Sequence, residues 1–125
     1  MSKIEFPYAT VEYKKPIVYF RVTKPVLFTG KKILAVIEAG KKLCNDKSHL
    51  LLTDVKVLAE LTSEARKIAA SKENTENLVA QAIVVKWVAT KLIANAFMKL
   101  NKPHYPVKTF SDEGKAVKWL LAHKR

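Results

Sequence analysis

Four consecutive residues near a predicted helix start have types suited to binding an anion: Thr29, Gly30, Lys31 and Lys32. The first turn of a helix carries unpaired backbone N–H groups, which stabilise an anion together with nearby lysines. A phosphate-binding Walker loop would need Gly five residues before Gly30 and Ser or Thr after Lys31. Those places hold Pro25 and Lys32. The segment therefore predicts either a simple anion site or two solvated lysines, and no nucleotide-binding loop.

Residue types that bind metals or act as nucleophiles are few. The histidines are His49, His104 and His123, and the single cysteine is Cys44. The histidines have no HxxxH or HExxH spacing and no carboxylates at metal-ligand spacing, so we expect no metal and no cofactor. Cys44 lies on the apolar stripe of a predicted helix, which favours a buried, inert thiol. We assign no catalytic residue and expect no enzymatic activity.

The elements that must position these residues follow from hydrophobic periodicity, turns and caps. We predict strands at residues 8–13, 17–22, 49–53, 78–85 and 107–110, and helices at 30–44, from 63 into the polar stretch 71–77, at 87–100 and after Ser111. Thr29, Thr62 and Ser111 are the predicted N-caps. The order β-β-α-β-α-β-α-β-α predicts one α/β domain over residues 1–125, with a mostly parallel or mixed sheet covered by helices.

Composition excludes several classes of protein. The chain has 125 residues, 49% of them hydrophobic, which suffices for one packed core. It contains no apolar run long enough to span a membrane, and its first residues lack the apolar core of a signal peptide, so we expect a cytoplasmic protein. The net charge of +12 attracts phosphate backbones, but only three of the 23 basic residues are Arg and no reader motif is present. Specific nucleic-acid binding is therefore not expected.

The predicted third helix has more apolar residues than one buried stripe requires. Residues 77–111 contain no Asp or Glu. The candidate surface on this helix comprises Trp87, Lys91, Ala94, Phe97 and Met98. Three interpretations stay open: a homodimer surface or deeper core, a docking face for a protein partner or an anionic membrane, and one wall of a cavity for a lipid or small apolar ligand.

The C-terminal half carries two motifs. Residues 93–103 read IANAFMKLNKP, and residues 107–116 read VKTFSDEGKA. They look like the bacterial STAS/SEC14-like family of small uncharacterised proteins, in which N-x-F-x-K-x-N-K-P precedes a short strand. The element order over residues 8–123 resembles the STAS, or anti-sigma-factor antagonist (SpoIIAA-like), fold.

This resemblance implies a phosphorylation switch. In anti-sigma-factor antagonists, a strand ending in Asp leads to a Ser or Thr that opens the second helix and is phosphorylated by a partner kinase. The corresponding positions are Asp54, Thr62 and Ser63. A helix N-terminus tolerates the charge that a phosphate adds. Thr62 also has a purely structural interpretation as an ordinary N-cap.

The resemblance implies a non-enzymatic regulatory or protein-interaction module, with a protein partner and self-association into a homodimer. The alternative is a small-molecule or lipid-binding carrier with an apolar cavity beside the third helix.

Overall fold

The computed structural model describes residues 2–86 and 104–123. The strands in those ranges are β1 (Lys3–Phe6), β2 (Ala9–Lys14), β3 (Ile17–Val22), β4 (Val26–Phe28), β5 (His49–Asp54), β6 (Ala59–Leu61), β7 (Leu78–Val84) and β8 (Val107–Phe110). The helices there are α1 (Gly30–Leu43), α2 (Ser63–Ala70), α3 (Lys72–Thr75) and α4 (Glu113–Leu121). In this part of the chain, no helix is long and apolar enough to cross a membrane.

Six strands form the main sheet in the order β1-β2-β3-β5-β7-β8. Strand β2 runs antiparallel to its neighbours β1 and β3, whereas β3, β5, β7 and β8 are parallel. The short strands β4 and β6 form a separate parallel pair. Because the four parallel strands point the same way, their C-terminal ends lie along one edge of the sheet, which we call the carboxyl edge. Helices α1, α2 and α4 begin after the chain has left β3, β5 and β8 at this edge.

Each face of the sheet has its own hydrophobic core. On one face, strands β2 and β3 pack with α1 and α2, and the buried residues there include Val18 and Ala65. On the other face, Leu120 of α4 packs with Leu52 of β5 and Ala82 of β7. Alternation of side chains along a strand lets one sheet supply both cores. The result is a three-layer arrangement with the sheet in the middle.

The main elements agree with the sequence prediction. The predicted strand at residues 17–22 and the predicted helix starts at Gly30 and Ser63 are confirmed. Both predicted threonine caps are also confirmed, because the Thr29 and Thr62 hydroxyls accept hydrogen bonds from backbone N–H groups inside their helices. The predicted helix at 87–100 lies outside the described residues.

Four short elements were missed, and the last cap was predicted one residue early. The missed elements are β1, β4, β6 and α3, each of three or four residues. Segments this short have no periodicity to detect, and β4 and β6 exist through pairing with each other. The N-cap of α4 is Asp112 and not Ser111, since the Asp112 carboxylate accepts from the N–H groups of Gly114 and Lys115. Both residue types cap helices, so composition alone did not discriminate between them.

Two neighbouring leucines on α4 test the second core. Leu120 is 0% exposed and Leu121 is 44% exposed. We expect Leu120→Ala to lower the free energy of unfolding by about 2–5 kcal/mol, because it removes buried apolar surface and leaves a cavity. Leu121→Ala makes the same chemical change on the same helix and should cost less than about 1 kcal/mol. Urea denaturation measures both, and equal losses in the two variants would contradict this packing.

Candidate functional site

Charged side chains meet at the carboxyl edge on the face that carries α4. Arg21 of β3 lies directly opposite Asp54 of β5 in the parallel pairing, so their side chains share one face. Arg21 Nη1 donates to Asp54 Oδ2 at 2.9 Å. Arg21 also donates to both carboxylate oxygens of Glu113, at 2.6 and 2.9 Å. One guanidinium therefore joins two strands of the sheet to the first turn of α4.

The geometry of this cluster explains its electrostatics. The side chain of Asp54 is 10% exposed, and Asp54 also accepts a hydrogen bond from the Lys56 backbone N–H at 3.1 Å. The hydrogen bond from Arg21 lowers the pKa of Glu113, although partial burial opposes this effect. The hydrogen bond to Glu113 in turn raises the pKa of Arg21. Paired charges of this kind hold the side chains in a fixed geometry.

The other face of the same edge carries two helix N-termini side by side. Strands β4 and β6 are paired in register, and the Thr62 backbone N–H donates to the Phe28 carbonyl at 3.0 Å. The caps Thr29 and Thr62 thus stand at the ends of paired strands. The Thr62 hydroxyl accepts from the Ala65 N–H at 3.1 Å, whereas Ser63 is exposed at the first position of α2.

A carboxylate already lies at the start of α1. Gly30 is buried, and a Cβ atom placed on it would overlap the Glu64 carboxylate, with Glu64 Cδ only 2.6 Å away. Helix α1 has no acidic residue in its own first turn, so Glu64 provides the negative charge that a helix N-terminus favours. The Lys32 ammonium lies over the Tyr8 ring, 5.3 Å from its centroid. An external anion at Gly30, Lys31 and Lys32 would therefore compete with Glu64, and that site stays a prediction.

The predicted switch residues all lie at the carboxyl edge: Asp54 ends β5, Thr62 caps α2 and Ser63 begins α2. Among the described residues, no hydrogen bond or ion pair joins Asp54 to Thr62 or Ser63. Arg21 and Glu113 were not among the site residues predicted from the sequence. The available signal was a single arginine in the otherwise apolar strand IVYFRV, since a charge among strand residues usually has a partner.

The histidines and the cysteine have structural contacts. Cys44 is buried, and its Sγ lies 3.5 Å from His49 Nδ1. Burial raises the pKa of the Cys44 thiol and lowers that of His49, which favours the neutral form of both. His104 Nε2 lies 2.6 Å from the Thr75 hydroxyl and joins its loop to α3. Within residues 2–86 and 104–123, no cluster of three or more potential metal ligands occurs.

The candidate surface on the predicted third helix lies outside the described residues. Its members are Trp87, Lys91, Ala94, Phe97 and Met98. On the described sheet, Gln81 donates to Thr53 at 2.8 Å and accepts from Tyr105 at 3.4 Å. Burial raises the pKa of Tyr105 to about 12, so its hydroxyl stays protonated. The side chains of Gln81, Thr53 and Tyr105 thus provide hydrogen-bond partners for one another. The function as a carrier of an apolar ligand stays a prediction.

Comparison with known proteins relates the chain to families without an assigned function. A family model described as domain of unknown function DUF7793 matches residues 11–124. A solved structure of an uncharacterised DUF3478-family protein with a SpoIIAA-like fold, from Shewanella loihica PV-4, matches with a TM-score of 0.65. The two are 14% identical, over 90% of this chain and 91% of that one. This likeness confirms the predicted SpoIIAA-like α/β fold. No curated protein matches the sequence.

The ion pair of Glu113 predicts a specific pH dependence. The pKa of Glu113 is lowered in the folded protein, so its stabilising effect is present above the ordinary value of 4.5 and is lost as the pH falls through the folded value. We expect Glu113→Gln to lower the free energy of unfolding by about 1 kcal/mol at pH 7, because the pair is partly exposed. The difference from the wild type should shrink below about pH 4.

Urea denaturation at several pH values measures this difference. Glu38→Gln changes an exposed glutamate of α1 in the same way and serves as the control. A constant difference between wild type and Glu113→Gln from pH 7 to pH 3 would contradict the ion pair.

The contact between Gly30 and Glu64 predicts that mutations at the two positions are coupled. Replacing glycine by alanine inside a helix is worth up to about 1 kcal/mol. In the wild type, the new Cβ must first displace the Glu64 carboxylate. We therefore expect Gly30→Ala to be more stabilising in a Glu64→Ala background than in the wild type. Thermal unfolding of the four proteins measures the coupling, and an identical effect in both backgrounds would place Glu64 elsewhere.

Proposed function

Since the chain belongs to the DUF7793 family, whose function is unknown, we propose a function from its own geometry. The protein acts as a non-enzymatic regulatory module of the bacterial cytoplasm that binds a protein partner. Phosphorylation of Ser63 controls that binding. The observation that carries the proposal is an exposed hydroxyl at the first position of α2, within a SpoIIAA-like fold.

Two details favour Ser63 over Thr62 as the acceptor. The Thr62 oxygen is occupied by the capping bond to Ala65, and modifying it would remove that cap at a cost of about 1 kcal/mol. Within residues 2–86 and 104–123, the Ser63 hydroxyl makes no such bond to the backbone, and Ser63 is exposed. Phosphorylation there leaves the cap intact.

The surroundings of Ser63 support a change of state on phosphorylation. A phosphate adds about −1.5 to −2 charges at pH 7, which the N-terminus of α2 and the exposed Lys67 at i+4 favour. Glu64 is the adjacent residue, and its carboxylate lies against the start of α1. The charge of the phosphate adds to that of Glu64, so both helix starts present more negative charge to a partner. Asp54, the remaining candidate, supports the edge through Arg21 on the opposite face.

Mass spectrometry of the protein isolated from its own cells tests the modification. We expect the peptide that contains Ser63 to carry one phosphoryl group under at least one growth condition. The group should be lost in Ser63→Ala and kept in Ser48→Ala, which changes another exposed serine. Unmodified Thr62 and Ser63 under every condition would refute the switch.

Partner binding provides the second readout. Once a partner has been identified by crosslinking in cells, titration calorimetry should show that Ser63→Asp changes its affinity and that Ser48→Asp does not. If the wild type, Ser63→Asp and Ser48→Asp bind the partner with equal affinity, control of binding at Ser63 is refuted. The partner-binding role itself would still stand.

A further inference from the structure

The outer edge of β1 is available for strand pairing. β1 is the first strand of the sheet and pairs on one side with β2. Within residues 2–86 and 104–123, no strand pairs with its other side. An edge strand exposes unpaired N–H and C=O groups that can pair with another strand, and short length and charged side chains restrict which strands can pair there.

The hydrogen bonds to β2 determine which backbone groups of β1 point outward. The Tyr13 N–H donates to the Ser2 carbonyl at 2.7 Å, and Lys3 is opposite Glu12. Hydrogen-bonded and non-hydrogen-bonded pairs alternate along an antiparallel ladder. The N–H and C=O groups of Lys3 and Glu5 therefore point away from β2, toward the open edge.

We propose that a second copy of this chain pairs with that edge. The two β1 strands run antiparallel about a two-fold axis at Ile4, so the main sheet continues from one molecule into the other. Lys3 then lies opposite Glu5 of the second copy, and Glu5 lies opposite Lys3 of the second copy. Both pairs use outward-pointing backbone groups, so each forms two backbone hydrogen bonds.

The charges of β1 favour a two-fold axis at Ile4 over an axis at Lys3 or Glu5. Lys3 and Glu5 are exposed on the same face of β1, with Lys3 Nζ 3.8 Å from Glu5 Oε1. An axis at Glu5 or at Lys3 would place like charges directly opposite each other, which is destabilising. An axis at Glu5 would also bring Pro7, which has no N–H, opposite Lys3. Only the axis at Ile4 pairs opposite charges twice.

Apolar contacts support the same arrangement on the other face of β1. Ile4 and Phe6 are half-buried and pack at the margin of the core beneath α1 and α2. With the axis at Ile4, the two Ile4 side chains face each other at a non-hydrogen-bonded pair, where cross-strand side chains are closest. The strand at the opposite end of the sheet, β8, has Lys108 and no acidic residue, so it lacks this self-complementarity.

Charge exchange tests the proposal independently of any effect of Ser63. In sedimentation equilibrium at an ionic strength of about 0.15 M, we expect the wild type to dimerise reversibly. Lys3→Glu and Glu5→Lys should each raise the Kd of self-association by about tenfold, because each places two pairs of like charges across the axis. An equimolar mixture of these two variants should form a heterodimer, and the double variant K3E/E5K should dimerise like the wild type.

A backbone variant tests the hydrogen bonds. Glu5→Pro removes an outward N–H that has no bond to β2, so the fold should survive and dimerisation should be lost. Lys118→Glu and Glu38→Lys change net charge equally at exposed positions far from β1 in sequence, and should have no comparable effect. A monomeric wild type up to about 1 mM would overturn the proposal. A dimer that none of the β1 variants weakens would overturn it as well.

Discussion

The interaction of Arg21 with Asp54 and Glu113 connects the layers of this molecule. It joins β3 to β5 within the sheet and ties both to α4, through residues that are 33 and 92 positions apart in the sequence. Asp54 is buried, and its carboxylate is tolerated there because the guanidinium and the Lys56 N–H satisfy it. Removing Arg21 would leave that carboxylate buried without its main partner, which costs far more than an exposed ion pair contributes. This one side chain therefore acts together with the apolar packing of α4 to orient that helix, and it sets the charge balance of the carboxyl edge.

The sheet separates two kinds of chemistry at the carboxyl edge. On the α4 face, the charges are paired and partly buried, so they hold β3, β5 and α4 in a fixed arrangement. On the face of α1 and α2, two capped helix starts present an exposed hydroxyl beside a carboxylate that already lies against Gly30. A modification at Ser63 can thus alter surface charge without disturbing the ion pairs behind the sheet. That division suits the switch proposed for Ser63, in which the fold persists with and without the phosphate.

Local patterns predicted the parts of the fold that local physics determines. A cap depends on a side chain and N–H groups two or three residues away, so Thr29 and Thr62 were identifiable from the sequence. The strands at 17–22 and 107–110 were identifiable from their β-branched and aromatic residues. Strands β4 and β6 were not, because Val26 and Ala59 pair across 33 positions and neither segment has a pattern of its own. The same reason hid the contact of Arg21 with Glu113. The sequence did not show whether Ser111 or Asp112 caps α4, because both residue types cap helices and only the geometry of α4 distinguishes them.

The three consecutive leucines of β5 have a consequence for strand alignment. Leu50 and Leu52 face α4, and Leu51 faces the opposite core. A shift of β5 by one residue would exchange these faces, yet leucines would still fill both cores, so apolar burial alone specifies the alignment weakly. The same shift would carry Asp54 to the opposite face and away from Arg21. The charge at the end of the strand, together with the hydrogen bond between Gln81 and Thr53, therefore penalises an alignment that hydrophobic packing would tolerate.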